Sequence, residues 1–178
     1  MLYLTRDRWF YTTDQKTNEI KKYLLGETLQ TIVGGNGDGA NINQITDCYG
    51  LVINSDASYA YVSDLNNNRI FRCFLKTLGD VFIIAGRMGL DNELDQLSHP
   101  CSIHIIKNHL YVADTGNGRI MHVELNISQI SIVISGSQSS FNRYQLNRPT
   151  SIISDQYDKN FYNADQGLSC NGDPMFSE

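Results

Sequence analysis

Tyr111 to Ile120 reads YVADTGNGRI. Tyr61 to Ile70 reads YVSDLNNNRI, and Tyr11 to Ile20 reads YTTDQKTNEI, a more worn copy. A shortened form, YNADQG, opens at Tyr162. Copies spaced about fifty residues apart mean that one supersecondary unit is written several times, and the unit is what must be read first.

Each unit divides into four strand-like runs. In the best copy they are SIHII from Ser102, LYVA from Leu110, IMHVEL from Ile120 and ISIVI from Ile130. The turn between the second and third runs, Asp114 to Gly118, is rich in the Gly and Asn that accept positive φ. The preceding unit repeats the runs at 51–54, 60–63, 70–75 and 81–85, and the first unit at 2–4, 10–13, 20–25 and 31–33. The last stops after two, at 151–154 and 161–164. No segment holds a helical period, so the expected fold class is all-β. Four antiparallel strands per unit at this spacing predict a β-propeller, with three blades and half of a fourth. Stacked blades cover one another, so runs such as FIIA at 82–85 need not alternate.

The phrases YVADTGNGRI and YVSDLNNNRI resemble the core of the NHL repeat. HPCSIHI from His99 and NRPTSII from Asn147 resemble its innermost strand. The linkers TIVGGNGDGANINQITD and IIAGRMGLDNELDQLSHP resemble its glycine-punctuated connection between blades. The resemblance places blades at 1–35, 46–86, 98–136 and 147–167, with 168–178 outside the pattern. Two departures stand out: Cys48-Tyr49 sits where other units have Pro100 and Pro149, and Glu19 sits where they have Arg69 and Arg119. The resemblance implies a non-enzymatic platform for a protein or peptide partner. Its alternatives are a metal-dependent lyase or hydrolase with the metal on the propeller axis, and an RNA-binding NHL domain.

The chain has 178 residues, 41% hydrophobic and 19% charged, which is the composition of a packed domain. Its net charge of -5 tells against binding to phosphate backbones. No apolar run reaches the roughly 20 residues that span a bilayer. Arg6, Asp7 and Arg8 come too early for a signal-peptide core. These features assign no compartment. Cys48, Cys73, Cys101 and Cys170 form no CxxC pair and read as free, buried thiols. A single glycosylation sequon occurs at Asn126-Ile127-Ser128.

Asp14, Asp64, Asp114 and Asp165 each end a second strand. A carboxylate there can accept backbone N–H bonds from the following turn, as in an Asx turn. An EF-hand reading fails, because the twelfth loop position holds Leu75 or Leu125 instead of an acid. Arg69 and Arg119 are expected to pair with a neighbouring Asp. GGNGD at 34–38 lacks the Gly-Lys-Ser/Thr of a phosphate loop and reads as turn chemistry. His99, His104 and His109 lie five residues apart, and His104 belongs to an axis-facing strand. Its equivalents are Val52 and Ile153, so one imidazole stands alone and no metal or other cofactor is expected. No triad emerges, so no catalytic residue is assigned. The second-to-third turns and the blade connections should share one surface. Asn66, Asn67, Asn68, Thr115 and Asn117 on it are the expected binding residues. A propeller needs roughly 4 to 8 blades to close. The chain is therefore expected to belong to a longer protein or to be closed by another chain, and to associate through open blade edges.

Overall fold

The computed structural model describes residues 2–5, 8–24, 26–27, 29–77, 80–86, 94–135 and 146–166. The tail at 168–178, Cys170 and most of the glycine-containing linkers at 86–98 and 135–147 lie outside them. The first sheet holds β1 (Leu2–Leu4), β2 (Trp9–Asp14), β3 (Glu19–Leu24) and β4 (Gln30–Gly34). The second holds β5 (Cys48–Ile53), β6 (Tyr59–Asp64), β7 (Arg69–Phe74) and β8 (Val81–Ala85). The third holds β9 (Pro100–Ile106), β10 (His109–Asp114), β11 (Arg119–Glu124) and β12 (Gln129–Ser135). β13 (Pro149–Ser154) and β14 (Phe161–Asp165) form a two-stranded sheet. Every four-stranded sheet is a simple antiparallel meander.

The hairpin at each repeated motif is in the same register. Asp14 opposes Glu19, Asp64 opposes Arg69, and Asp114 opposes Arg119. The turn's last residue is left-handed in each: Asn18 at φ 51°, Asn68 at 52° and Gly118 at 59°. Asn and Gly tolerate that region best, which explains the turn composition. Gly34 and Gly86 close the outer strands at φ 98° and 84°. A Cβ would lie 2.1 Å from the Asn18 carbonyl oxygen in one and 2.1 Å from that of Asn68 in the other.

The cores lie between the sheets. One layer packs Tyr11 and Ile20 of the first sheet on Leu51, Ile53 and Phe71 of the second. The next packs Val52 and Tyr61 on Ile103, Val112 and Met121. The last joins Ala113 and Ile120 to Ile152, with Tyr111 and Phe161 beside them. Successive residues of β5 thus serve opposite layers, the pattern of a strand buried on both faces. Each connection ends in a fully buried plug: Ile45, Leu97 and Leu146. The inner strands β5, β9 and β13 contact one another in turn, so the sheets fan around a common axis. Among the described residues, the outward faces of the end sheets are open: Leu2, Leu4 and Leu29 are exposed at one end, on the face that also carries Thr12, Lys21 and Tyr23, and Ile153 and Tyr162 at the other.

Candidate functional site

The recurring carboxylates hold the connections down. Asp64 Oδ1 accepts the Thr46 N–H at 2.9 Å, and its Oδ2 accepts Arg69 Nε at 2.8 Å. Arg69 then reaches the carbonyls of Ala40, Asn41 and Gln44 at 2.7, 2.9 and 2.6 Å. The third sheet repeats this: Asp114 accepts the Ser98 N–H at 2.7 Å and Arg119 Nε at 2.7 Å, and Arg119 bonds the Gln96 carbonyl. Asp165 accepts the N–H groups of Asn147 and Arg148. Each carboxylate therefore grips the residue just after the apolar plug. Asp64 and Asp114 are fully buried. Burial pushes the carboxyl of Asp64 up, against the pull of Asn67, Thr46 and Arg69. Asp14 makes the Asx pattern, accepting Lys16 and Thr17 N–H groups at 3.1 and 3.3 Å. It also pairs with Lys21 Nζ at 2.7 Å, which holds its carboxyl well below the usual carboxylate range.

The turn residues and the connections meet on one surface. Asn67 donates to the Gly39 carbonyl at 2.8 Å and to both Asp64 oxygens. Asn68 Oδ1 accepts the His99 N–H at 2.8 Å, and Asn18 Oδ1 does the same for Asp47 at 3.0 Å. Thr115 is buried and donates to the Pro149 carbonyl at 2.6 Å. Asn117 donates to Asp114. Of the five residues read as a binding surface, only Asn66 is exposed. Asn67, Asn68 and Thr115 bond to neighbouring connections or blades, Asn117 bonds within its own turn, and Asn67, Asn68 and Asn117 stay partly exposed beside Asn66.

His104 does not project into the axial space. Its Nε2 lies 2.9 Å from Ser154 Oγ on β13, and burial lowers its pKa. The axial space is instead a cleft of about 890 Å³. Three equivalent pairs front it: Tyr49-Gly50, Cys101-Ser102 and Thr150-Ser151. They sit where β5 and β13 slip register between Cys48 and Leu51 and between Pro149 and Ser151, and where β9 slips against Val112 and Asp114. Such irregularities re-aim side chains, and here they turn small and hydroxyl groups inward. The first sheet closes the cleft differently. There Asp14, Lys21 and Tyr23 of the β2–β3 hairpin line the space. These cleft residues were not singled out in the sequence, because a slipped register is a pairing between strands and leaves no local pattern. Among the described residues, the lining brings together no acid–base pair suited to proton transfer: Lys21 is tied to Asp14 and Glu19, both at 2.7 Å. The one trio of metal-ligand side chains found among the described residues, His109, His122 and Glu124, lies outside the cleft.

No known family model matches the chain, and no curated protein matches it in sequence. Solved structures do match. The fold is a β-propeller. An auxiliary nutrient binding protein from Bacteroides thetaiotaomicron superposes with a TM-score of 0.71 at 15% identity, covering 90% of this chain and 43% of its own. The Bacteroides ovatus auxiliary nutrient binding protein gives 0.71 at 18%, with 90% and 43% covered. Virginiamycin B lyase from Staphylococcus aureus gives 0.63 at 17%, with 92% and 47% covered. The chain thus spans less than half the length of these propellers. At such identities the likeness carries the fold and leaves function to the residues. Among the described residues, no helix is long and apolar enough to cross a membrane.

Proposed function

We propose that this chain is part of an NHL-type propeller that acts as a non-enzymatic platform for a protein or peptide partner, received in the axial cleft. One observation carries the reading. The cleft is walled at matching positions of successive blades by hydroxyls, small residues and the rings of Tyr49 and Tyr23, while its charged groups neutralise one another. Such a wall offers hydrogen bonds and stacking surface without a poised acid, base or nucleophile. Aromatic side chains set among small polar groups suit an extended peptide. The metal-dependent lyase or hydrolase reading draws less support, since His104 is engaged with Ser154 away from the cleft.

Panning a displayed peptide library against the purified chain tests this. Enriched peptides should bind saturably and should lose affinity when Ser151→Trp fills the cleft or Tyr49→Ala removes a ring. Both residues are exposed, so neither change disturbs the core. Peptides that bind both variants as well as the parent would place the partner elsewhere, and failure to enrich any sequence would count against a peptide platform.

A further inference from the structure

The same three positions carry different chemistry in each blade. In the first sheet Trp9 opposes Leu24, and Lys22 Nζ lies 5.2 Å from the Trp9 ring. In the second, Tyr59 opposes Phe74 with ring centroids 5.2 Å apart, and the Arg72 guanidinium sits 5.0 Å from Tyr59. A cation resting on an aromatic ring is an ordinary way to cover an outer strand. In the third sheet those positions are His109, Glu124 and His122. The aromatic, its cross-strand neighbour and the cation have all been exchanged for side chains that ligate metals.

Their donor atoms converge. His109 Nδ1 lies 2.8 Å from Glu124 Oε2 and 2.9 Å from His122 Nε2. All three atoms lie within 4.8 Å of one another. Bonds of about 2.0–2.1 Å to a tetrahedral ion set its ligand atoms roughly 3.3 Å apart. Two of the separations are shorter than that and all are within 4.8 Å, so small rotations of partly exposed side chains suffice. The outer partners fit as well. His122 Nδ1 lies 3.2 Å from Ser131 Oγ on β12. When that nitrogen donates to the hydroxyl, Nε2 keeps its lone pair for the point shared with His109 and Glu124. Ligating histidines are usually oriented by such a bond on the other ring nitrogen. The Tyr111 ring stands 5.2 Å from His122 and is itself packed on Phe161 of β14 at 4.5 Å, so one wall of the site is fixed. The His109 side chain is 40% exposed, which leaves an approach for the ion and a position for water.

We infer that His109, His122 and Glu124 form a binding site for a divalent transition metal of the zinc class on the outer half of the third blade. Two imidazoles and one carboxylate select such an ion over calcium or magnesium, which prefer oxygen alone. Three protein ligands leave a fourth position open, as in zinc sites that keep an exchangeable water. The site is independent of the axial cleft and of the peptide reading.

Zinc chloride titrated into the whole chain by calorimetry, in excess magnesium, tests the inference, with cobalt(II) absorption reporting coordination geometry. One ion per chain should bind, and cobalt should give the intense visible bands of a tetrahedral site. Glu124→Gln, nearly isosteric, and His122→Arg, the second blade's residue, should each weaken binding by about 100-fold, and Ser131→Ala by about 10-fold. His104→Asn should leave affinity unchanged. Circular dichroism melting establishes that each variant is folded, and the wild-type cobalt spectrum stands without any variant. Absence of saturable zinc binding, or full affinity in both Glu124→Gln and His122→Arg, overturns the site and leaves a hydrogen-bonded His–His–Glu chain only.

Discussion

Asp14 and Asp64 hold the same place in the repeat and lead different lives. Asp64 is fully buried, clamped to Arg69 and to the backbone of Thr46. Asp14 is partly exposed, bonded to its own turn and to Lys21. The cause is what lies above each carboxylate. Residues 36–47 fold over the second sheet's turn, where Arg69 binds three of their carbonyls. No described connection crosses Asp14, and Glu19 takes the Arg position. A motif residue acquires its role from the segment that it clamps. The same aspartate braces a connection in the second sheet and holds its own turn in the first.

The largest expected difference is in stability. Asp64→Ala or Arg69→Ala strands a buried charge, which costs about 3–5 kcal/mol. Asp14→Ala, at an exposed pair, should move the urea midpoint little. Equal losses at both sites would erase the distinction. The glycines after the outer strands should instead behave alike. Gly34→Ala and Gly86→Ala each combine positive φ with a collision against a carbonyl oxygen, for about 1–3 kcal/mol apiece. Gly37, also at positive φ but with open space around its Cβ position, should tolerate Ala better in the same measurement.

The thiols probe how firmly the first blade is held. Cys48 Sγ contacts the Asp14 and Glu19 carbonyls across the seam, and Cys73 lies within the same core. Burial pushes Cys48 up to about 11 and Cys73 up to about 12. A folded value above the unfolded one keeps its full contribution to stability below about pH 8.5 and loses it as pH rises through the folded value. Urea stability should therefore fall between about pH 8.5 and 12, and native thiols should label slowly at pH 8. Faster labelling of Cys48 than Cys73 would show the first blade opening locally. The smallest effect is spectroscopic. Lys21 depresses Asp14, so its stabilising pair is complete above the ordinary carboxylate range and is lost only as pH falls well below it. NMR titration should find the Asp14 midpoint returning toward normal in Lys21→Met.

Outward-facing Leu2, Leu4, Ile153 and Tyr162 should make the chain self-associate with rising concentration in light scattering, and a particle size independent of concentration would overturn that expectation. That expectation comes from copy number in the sequence, and the exposed side chains give it an address.

Much of the fold was legible from Tyr111 to Ile120 and its copies. The four runs per unit match strands to within a few residues, and the Asp-to-Arg spacing sets each hairpin's register. That register even pairs 109 with 124 and 111 with 122, so the His–Glu trio was within reach by counting across the hairpin. Spacing along the chain hides it, because His109, His122 and Glu124 meet across strands.

The sequence by itself determined the repeat, the strands and the turns that need Asn or Gly. These follow from side-chain period and backbone sterics, which act within a few residues. Tertiary structure decided that Asp64 and Asp114 brace connections, that Asn67, Asn68 and Thr115 sew blades together, that slipped inner strands line a cleft, and that Tyr111 and Ser131 frame a metal-ligand trio. Those roles depend on which distant backbone or neighbouring strand arrives beside each side chain, and only packing of whole blades brings them there.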